Sequence, residues 1–419
     1  MERGICRHCI VDQFLKTAIK DDERMVRCTE CKGKRSGISI GDLGRKLEPL
    51  LRRYYVEGAE YPVFEHEDSE KPSWHQRGED LDNIVQATLK HCYNCNEDIV
   101  DAVKDAEDTD PRSGEYGFWR DEANYQFRFV QYEPSWFPGW DETKAELMHG
   151  RRFFSPAAMK MFDALFKDID NIKAWHRGKQ RRVCYKLSVG KKLFRARVVD
   201  SRSAQLDVIA EPARHVGPPP AEIARSGRMN AEGVAVLYAS TEASTCVAEM
   251  RPAIGSTLAV IELKTTQKLR LLDLSRLERA WGGLSLFDPN HEPKRIRLAA
   301  LQQLHGLVSK PILPGKEAEY IVTQTMAEYL AHVCDKPFDG IRFRSAQDAS
   351  GTNIVLFGLA NPKDNDLSSR FGVEYTANTL EFVRINSVKV EMDSLSIVKF
   401  HGETYLLDSE GQAEMDQDY

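Results

Sequence analysis

The residues of this chain whose types and spacing could do chemistry are two pairs of cysteines, an arginine inside an apolar strand, and a glutamate that follows a glycine-bearing loop. Cys6-Arg7-His8-Cys9 and Cys28-Thr29-Glu30-Cys31 each place two thiolates on a tight knuckle, and two knuckles supply the four soft ligands of a tetrahedral zinc ion. The set is complete and leaves no position open for substrate, so the spacing predicts a structural zinc ribbon. So short a segment has few core residues and needs a metal to fold. Leu193-Phe194-Arg195-Ala196-Arg197-Val198 reads as a strand, and an arginine among apolar neighbours is costly unless it meets an anion. The stretch 227–250 reads as loop, strand, helix. Gly227 and Gly233 permit close backbone approach and tight turns, and 234–239 is a short apolar run with Val234, Val236 and Tyr238 on one face. Thr241 is a capping candidate, and a helix over 242–250 buries Ala243, Val247 and Met250 before Pro252 stops it. Glu249 lies roughly 200° round that helix from Val247, so helix geometry alone makes it a solvated carboxylate.

These residues must be positioned by larger elements. At 419 residues the chain is long enough for two or three domains with their own cores. With 42% hydrophobic and 29% charged residues the composition is that of a soluble globular protein. A net charge of -6 argues against a general nucleic-acid coating protein and leaves room only for local basic patches. No apolar run approaches bilayer length, and Met1-Glu2-Arg3-Gly4-Ile5-Cys6 lacks a secretory core, so a cytoplasmic protein without a membrane partner is expected. Nine cysteines, mostly in Cys-x-x-Cys pairs, fit metal binding in a reducing compartment.

Residues 32–40, opening with Lys32-Gly33-Lys34-Arg35, read as a basic flexible connector. From about 40 to 180 the chain reads mainly helical: Leu43, Leu47, Leu50 and Leu51, then Leu81, Ile84, Val85 and Leu89, then Ile99, Val100 and Val103, then Met159, Phe162, Leu165 and Phe166 are stripes of helical period. The aromatic run 116–140, broken by Pro134 and Pro138, reads as a packed loop. Cys92-Tyr93-Asn94-Cys95, beside His91, is a third pair in a helical stretch, and two ligands do not complete a zinc site. A basic hinge is expected at 177–182. Strands are expected over 183–189, 193–199, 257–263 and 269–273, and helices over 295–307 and 321–333. Gly217-Pro218-Pro219-Pro220 forms a rigid loop, a sheet extension is expected over 373–407, and the acidic tail 408–419 is expected to be disordered.

Arg195, Gly227-Arg228-Met229-Asn230, Tyr238, Glu249, Tyr320-Ile321-Val322-Thr323-Gln324, Asp339-Gly340-Ile341, Ser345 and Gly351-Thr352-Asn353 follow one another in an order that resembles the RES domain, a family named for its arginine, glutamate and serine. The likeness spans roughly 187–357. It implies an NAD-degrading toxin whose fold is like that of the ADP-ribosyltransferases. RES proteins with long N-terminal extensions commonly carry a helical domain resembling the HEPN group, and 37–180 looks like one. The Arg-x4-6-His motif of HEPN nucleases matches only Arg3 to His8, inside the zinc knuckle, so RNA cleavage is not expected of this region. The expected architecture is thus a zinc ribbon (1–36), an all-α HEPN-like domain (37–180), an α+β ADP-ribosyltransferase-like RES domain (183–360), a C-terminal sheet extension (361–407) and the tail.

The resemblance also implies the chemistry. Breaking the nicotinamide to ribose bond of NAD needs no redox group and no metal. The leaving group is already a cationic pyridinium, and the barrier lies in the oxocarbenium-like charge that builds on the ribose. Arg195 would pair with a phosphate or ribose oxygen. Arg228 is a second phosphate candidate, or a solvated loop arginine. Tyr238 would stack on nicotinamide, or serve as a core tyrosine. Glu249 would accept from the ribose hydroxyls and stabilise the cation. Ser345 would bond the substrate or position Arg195, or be a turn serine. The acceptor stays open: water, phosphate or a protein side chain. Three functions follow: an NAD-consuming toxin or defence effector, a protein ADP-ribosyltransferase using the same pocket, and a nucleic-acid-binding module built on the zinc ribbon. A helix-turn-helix antitoxin, another trigger protein or a second copy of the chain are the partners the first would have.

Overall fold

Strands β1 (Arg3–Cys6), β2 (Arg24–Cys28) and β3 (Lys34–Ser39) of the computed structural model close into a small barrel, β1 running parallel to β2 and antiparallel to β3. The described residues are all except 21–23, 64–72, 108–116, 129–136, 177–178, 279, 281–283, 310–319, 349, 360–365, 389–395, 401–402 and 408–419. The expected connector over 32–40 is therefore a strand. Its lysine and arginine hide a pattern in which Gly37 and Ile38 turn inward, and Gly37 lies so close to β1 that an added Cβ would sit 2.2 Å from the Ile5 carbonyl oxygen.

The chain divides into two compact units. The first holds Met1–Cys184, Asp273–Val308 and Pro314–Tyr329. Directly after β3, the Ser39 hydroxyl caps the helix Ile40–Tyr54, which buries Leu43, Leu47 and Leu51. Leu81–Leu89 and Asn96–Asp105 bring Leu81, Ile84, Val85, Leu89, Ile99 and Val103 into the same core, together with Ile5 and Ile38 of the barrel. Each such side chain stabilises the fold by about 1.5–3 kcal/mol on burial. The region expected to be all-α is mixed. Tyr55–Glu57 pairs with Tyr125–Phe127, Glu60–Val63 with Ser73–Gln76, and Lys173–His176 with Lys179–Arg182. The last pairing turns part of the expected hinge into a hairpin, while 177–178 lie outside the described residues. In the aromatic run Trp119, Tyr125, Phe137 and Trp140 are buried, and 116 and 129–136 lie outside the described residues. Cys92 and Cys95 sit in the turn between two helices rather than within one. Cys95 is buried with its sulfur 3.1 Å from the Thr29 hydroxyl. The helices His291–Ser309 and Ile321–Glu328 also fall in this unit, the second followed by a π-helical turn Tyr329–Val333.

The second unit, Tyr185–Leu272, Ser309–Leu313 and Leu330–Tyr419, is built on a nine-stranded sheet. Its strands are β4 (Cys184–Leu187), β5 (Lys192–Val198), β6 (Leu237–Ser240), β7 (Thr257–Thr265), β8 (Leu269–Asp273), β9 (Gly340–Arg344), β10 (Thr352–Leu356), β11 (Val373–Tyr375) and β12 (Glu381–Arg384). They lie in the order β4-β8-β9-β10-β6-β5-β7-β11, and β12 pairs with β7. The sheet thus runs past residue 360. Leu193, Leu237, Ala259, Ile261, Leu263, Leu269, Leu271, Ile354 and Leu356 pack one core cluster of the unit. Ser396–Phe400 and Glu403–Leu407 form a separate hairpin, and the tail 408–419 lies outside the described residues. Among the described residues no helix is long and apolar enough to cross a membrane.

Candidate functional site

In the second unit a cavity of about 820 Å³ opens beside the central strands β5, β6 and β10, within the range of small-ligand sites. The loop 219–236 and the short helix Ala243–Glu249 complete its wall. Four arginines line it, Arg195, Arg197, Arg225 and Arg228, against one carboxylate, Glu249. Ile223, Val234, Val236 and Met250 add an apolar side. That balance suits a ligand with anionic oxygens and flat apolar rings.

Glu249 is not a solvated helix residue. It is half-buried, and its Oε1 accepts from the Ser345 hydroxyl at 2.5 Å and from the Asn353 amide at 2.7 Å. Its Oε2 has no hydrogen-bond partner among the described residues. Helix geometry misplaced it because the expected buried face is the wrong one: Thr245 and Cys246 are buried, Ala243 and Val247 half-buried, and Met250 exposed. Glu249 stands one turn beyond Thr245, on the face that meets Ser345, Asp348 and Asn353 of β10. Thr241 does not cap this helix with its side chain; its backbone N–H and hydroxyl both donate to the Thr352 carbonyl.

Asn353 is the residue that sequence reasoning missed, although it lay inside a quoted motif without a role. It is buried on β10 opposite Ser240 of β6, whose hydroxyl donates to its Oδ1 at 2.7 Å. That bond commits the amide oxygen and turns the N–H donors toward Glu249. The available signal was the pairing of Ser240 with Asn353, two polar residues on otherwise apolar strands. Ser345 makes no hydrogen bond to Arg195 among the described residues and does not itself line the cavity; it reaches the wall through Glu249. Its oxygen accepts from the Gln347 and Asp348 backbone N–H groups, each at 3.1 Å, while its proton goes to Glu249. The turn role and the site role therefore coexist in one hydroxyl. Asp348 in turn accepts from the buried Thr245 hydroxyl, and that bond is the main reason its carboxyl lies below the usual range.

Arg195 enters the cavity wall from β5. Its Nε donates to the Val216 carbonyl at 2.7 Å and its Nη1 to the Tyr238 carbonyl at 2.6 Å. Burial pushes the guanidinium down to about 10, which leaves it charged at neutral pH. Tyr238 lines the cavity with its ring half-exposed. Its hydroxyl accepts from the Met229 N–H and donates to Asn230 Oδ1. Asn230 staples the loop by donating to the carbonyls of Arg225, Ala231 and Val234. Gly227 must be glycine for this packing, because a Cβ there would lie 2.7 Å from Asn230 Oδ1 and 3.0 Å from the Tyr238 hydroxyl. Arg228 and Arg225 project from that stapled loop into the cavity. Cys246 also lines it, with its thiol pushed up to about 11 by burial, so it is protonated and unreactive at neutral pH. Of the quoted motifs, Asp339 is architectural, accepting from the Arg270 N–H at 2.6 Å, and Tyr320 to Gln324 open a helix of the first unit.

The first unit carries the cysteine cluster. The sulfurs of Cys6, Cys9, Cys28 and Cys31 all lie within 4.8 Å of one another, and those of Cys6 and Cys31 are 3.7 Å apart. Tetrahedral ligands at a zinc to sulfur distance of about 2.3 Å stand about 3.8 Å apart, so the donor set fits a metal ion of that kind. Burial pushes the Cys9 thiol up to about 12. At Cys28 the effect of burial is outweighed by the backbone N–H groups of Cys6, Cys31 and Glu30, which bring the thiol down to about 6. The knuckle N–H groups thus favour thiolate at Cys28, whereas burial favours the protonated thiol at Cys6 and Cys9. Among the described residues no other group of three or more potential ligands converges.

No curated protein and no solved structure matches this chain. Residues 192–380, from the start of β5 to just short of β12 and enclosing Arg195, Glu249, Ser345 and Asn353, match the family described as RES domain.

Proposed function

We propose that this protein consumes NAD by cleaving the bond between nicotinamide and ribose, as a toxin or defence effector. The RES domain is a family associated with NAD-related toxin activity. The observation that carries the reading is the carboxylate of Glu249, held by Ser345 and Asn353 at the wall of an arginine-lined cavity. Two donors on Oε1 fix its orientation, and Oε2 is left to face a ribose on which positive charge develops. Arg195 spends two of its N–H donors on carbonyls, and the rest of its fork is available to a phosphate or ribose oxygen. Arg225 and Arg228 suit the pyrophosphate, and Tyr238 offers a ring face to nicotinamide. The pyridinium leaves as neutral nicotinamide, and the ribose carbon is then taken by water, inorganic phosphate or a protein side chain. The unit would share the ADP-ribosyltransferase-like fold. The four cysteines would hold structural zinc, which crosslinks the ribbon. The first unit, with its HEPN-like helices, would sense a trigger or bind a restraining partner.

The test is to incubate the purified protein with NAD, with and without phosphate, and to identify the products by chromatography and mass. Nicotinamide release is expected, with ADP-ribose or its 1''-phosphate as the second product. Label transfer from NAD to a macromolecule would make it a protein ADP-ribosyltransferase. Intact NAD under every condition removes the reading.

A further inference from the structure

The register of the ribbon places cations side by side. Arg3 of β1 stands directly opposite Arg27 of β2, and Arg27 directly opposite Lys34 of β3, so three positive side chains form one row across three strands. Like charges at directly opposed positions repel one another. Arg3 is relieved by a bidentate bond to Asp98, and Arg24, further along β2, lies 4.0 Å from Asp42. Arg27 and Lys34 are exposed, and no ion pair among the described residues engages them. Two described acids of this unit are engaged elsewhere. Glu30 accepts from the Asn94 backbone and side chain, and Asp12 is buried, capping a helix and paired with Lys90. Two residues from Arg27, on the same face of β2, Met25 is 57% exposed, and it is paired with Ser36.

A face that gathers unrelieved cations around an exposed thioether is built for an extended anion with apolar groups. We propose that this face of the ribbon binds single-stranded nucleic acid, with Arg27 and Lys34 on successive phosphates and Met25 against an unstacked base. A phosphate strand supplies charges at the spacing of neighbouring side chains, which a single small anion does not. A duplex backbone would leave Met25 without a contact. The net charge of -6 confines the interaction to this patch, so binding is local and salt-sensitive. The site is independent of the NAD cavity.

The experiment uses the full-length protein with its metal. Fluorescein-labelled single-stranded RNA and DNA, the corresponding duplex, and vesicles of anionic lipid are titrated at several salt concentrations. Single strands are expected to bind, with a log–log salt slope of about -1.4 for two neutralised phosphates. The double variant Arg27→Glu/Lys34→Glu should lose at least about tenfold in affinity while NAD consumption and metal content stay unchanged, and Arg27→Lys/Lys34→Arg should keep binding. In the free protein Lys34→Ala should not lower the melting temperature, since it relieves repulsion. Failure of single strands to bind at low salt overturns the proposal. So does binding that survives the charge reversal, or stronger binding to vesicles or duplex. Should the reversal cost the metal, the salt slope of the unaltered protein decides, and a slope near zero overturns it.

Discussion

Asn353→Ala isolates the support of the carboxylate from the carboxylate itself. The substitution removes one hydrogen bond to a charged acceptor, at 2.7 Å, and leaves the Ser240 hydroxyl without its acceptor. A hydrogen bond to a charged group contributes about 1.5–3 kcal/mol. If all of that orients Glu249 in the transition state, turnover should fall roughly tenfold to 150-fold. Ground-state binding should change little, because Asn353 does not carry the phosphate contacts assigned to the arginines. Asn353→Asp should be worse than alanine despite its shape, since it replaces the N–H donor with a second carboxylate facing Glu249. Ser240→Ala should be milder, because it frees the amide to turn without removing it. The assay is steady-state NAD consumption resolved into kcat and KM, with thermal unfolding to check that each variant is folded. A folded Asn353→Ala protein with wild-type kcat, or with its whole loss in KM, would refute the positioning argument.

Arg195→Ala should weaken NAD binding and turnover together, because a phosphate contact exists in both ground and transition states; calorimetric titration of NAD into the variant measures the first. Elemental analysis should find about one zinc per chain, and Cys28→Ser should lose it, since three thiols do not close the tetrahedron. Gly37→Ala should destabilise the ribbon by about 1–3 kcal/mol and loosen the metal, because its Cβ would meet the Ile5 carbonyl at 2.2 Å; denaturant unfolding followed by zinc release reads this out. Cys246 should resist iodoacetamide in the folded protein at neutral pH, where its thiol, raised to about 11, is protonated, and should react faster as pH climbs toward that value.

Elements whose burial follows a simple period were legible in advance. Leu43, Leu47 and Leu51 specify one face of a helix, and the 269–273 strand was placed to the residue. The cysteine knuckles were legible because ligand spacing is local. What escaped depends on partners distant in sequence. β3 looked like a connector because Lys34 and Arg35 dominate its opening, whereas Gly37 and Ile38 show their purpose only once β1 lies against them. Helix geometry alone sends Glu249 to solvent, and only the resemblance marks it as catalytic, because a seven-residue helix carries too little pattern to fix its buried face, which is set by contacts with Ser345 and with Asn353 of β10. Asn353 was invisible for a similar reason. A lone asparagine in an apolar strand gains a role only when the register places Ser240 opposite and Glu249 within reach.

The central claim is that the charge of Glu249 at this cavity drives cleavage of NAD, and Glu249→Gln tests it most directly. The amide keeps the size and can still accept from Ser345 and Asn353 through its oxygen, but it presents no negative charge to the ribose. NAD affinity by calorimetry and nicotinamide release should be measured on the same folded preparation. The account predicts binding close to wild type and turnover reduced by about 3 kcal/mol, more than a hundredfold. A Glu249→Gln protein that binds NAD and releases nicotinamide at the wild-type rate would contradict it.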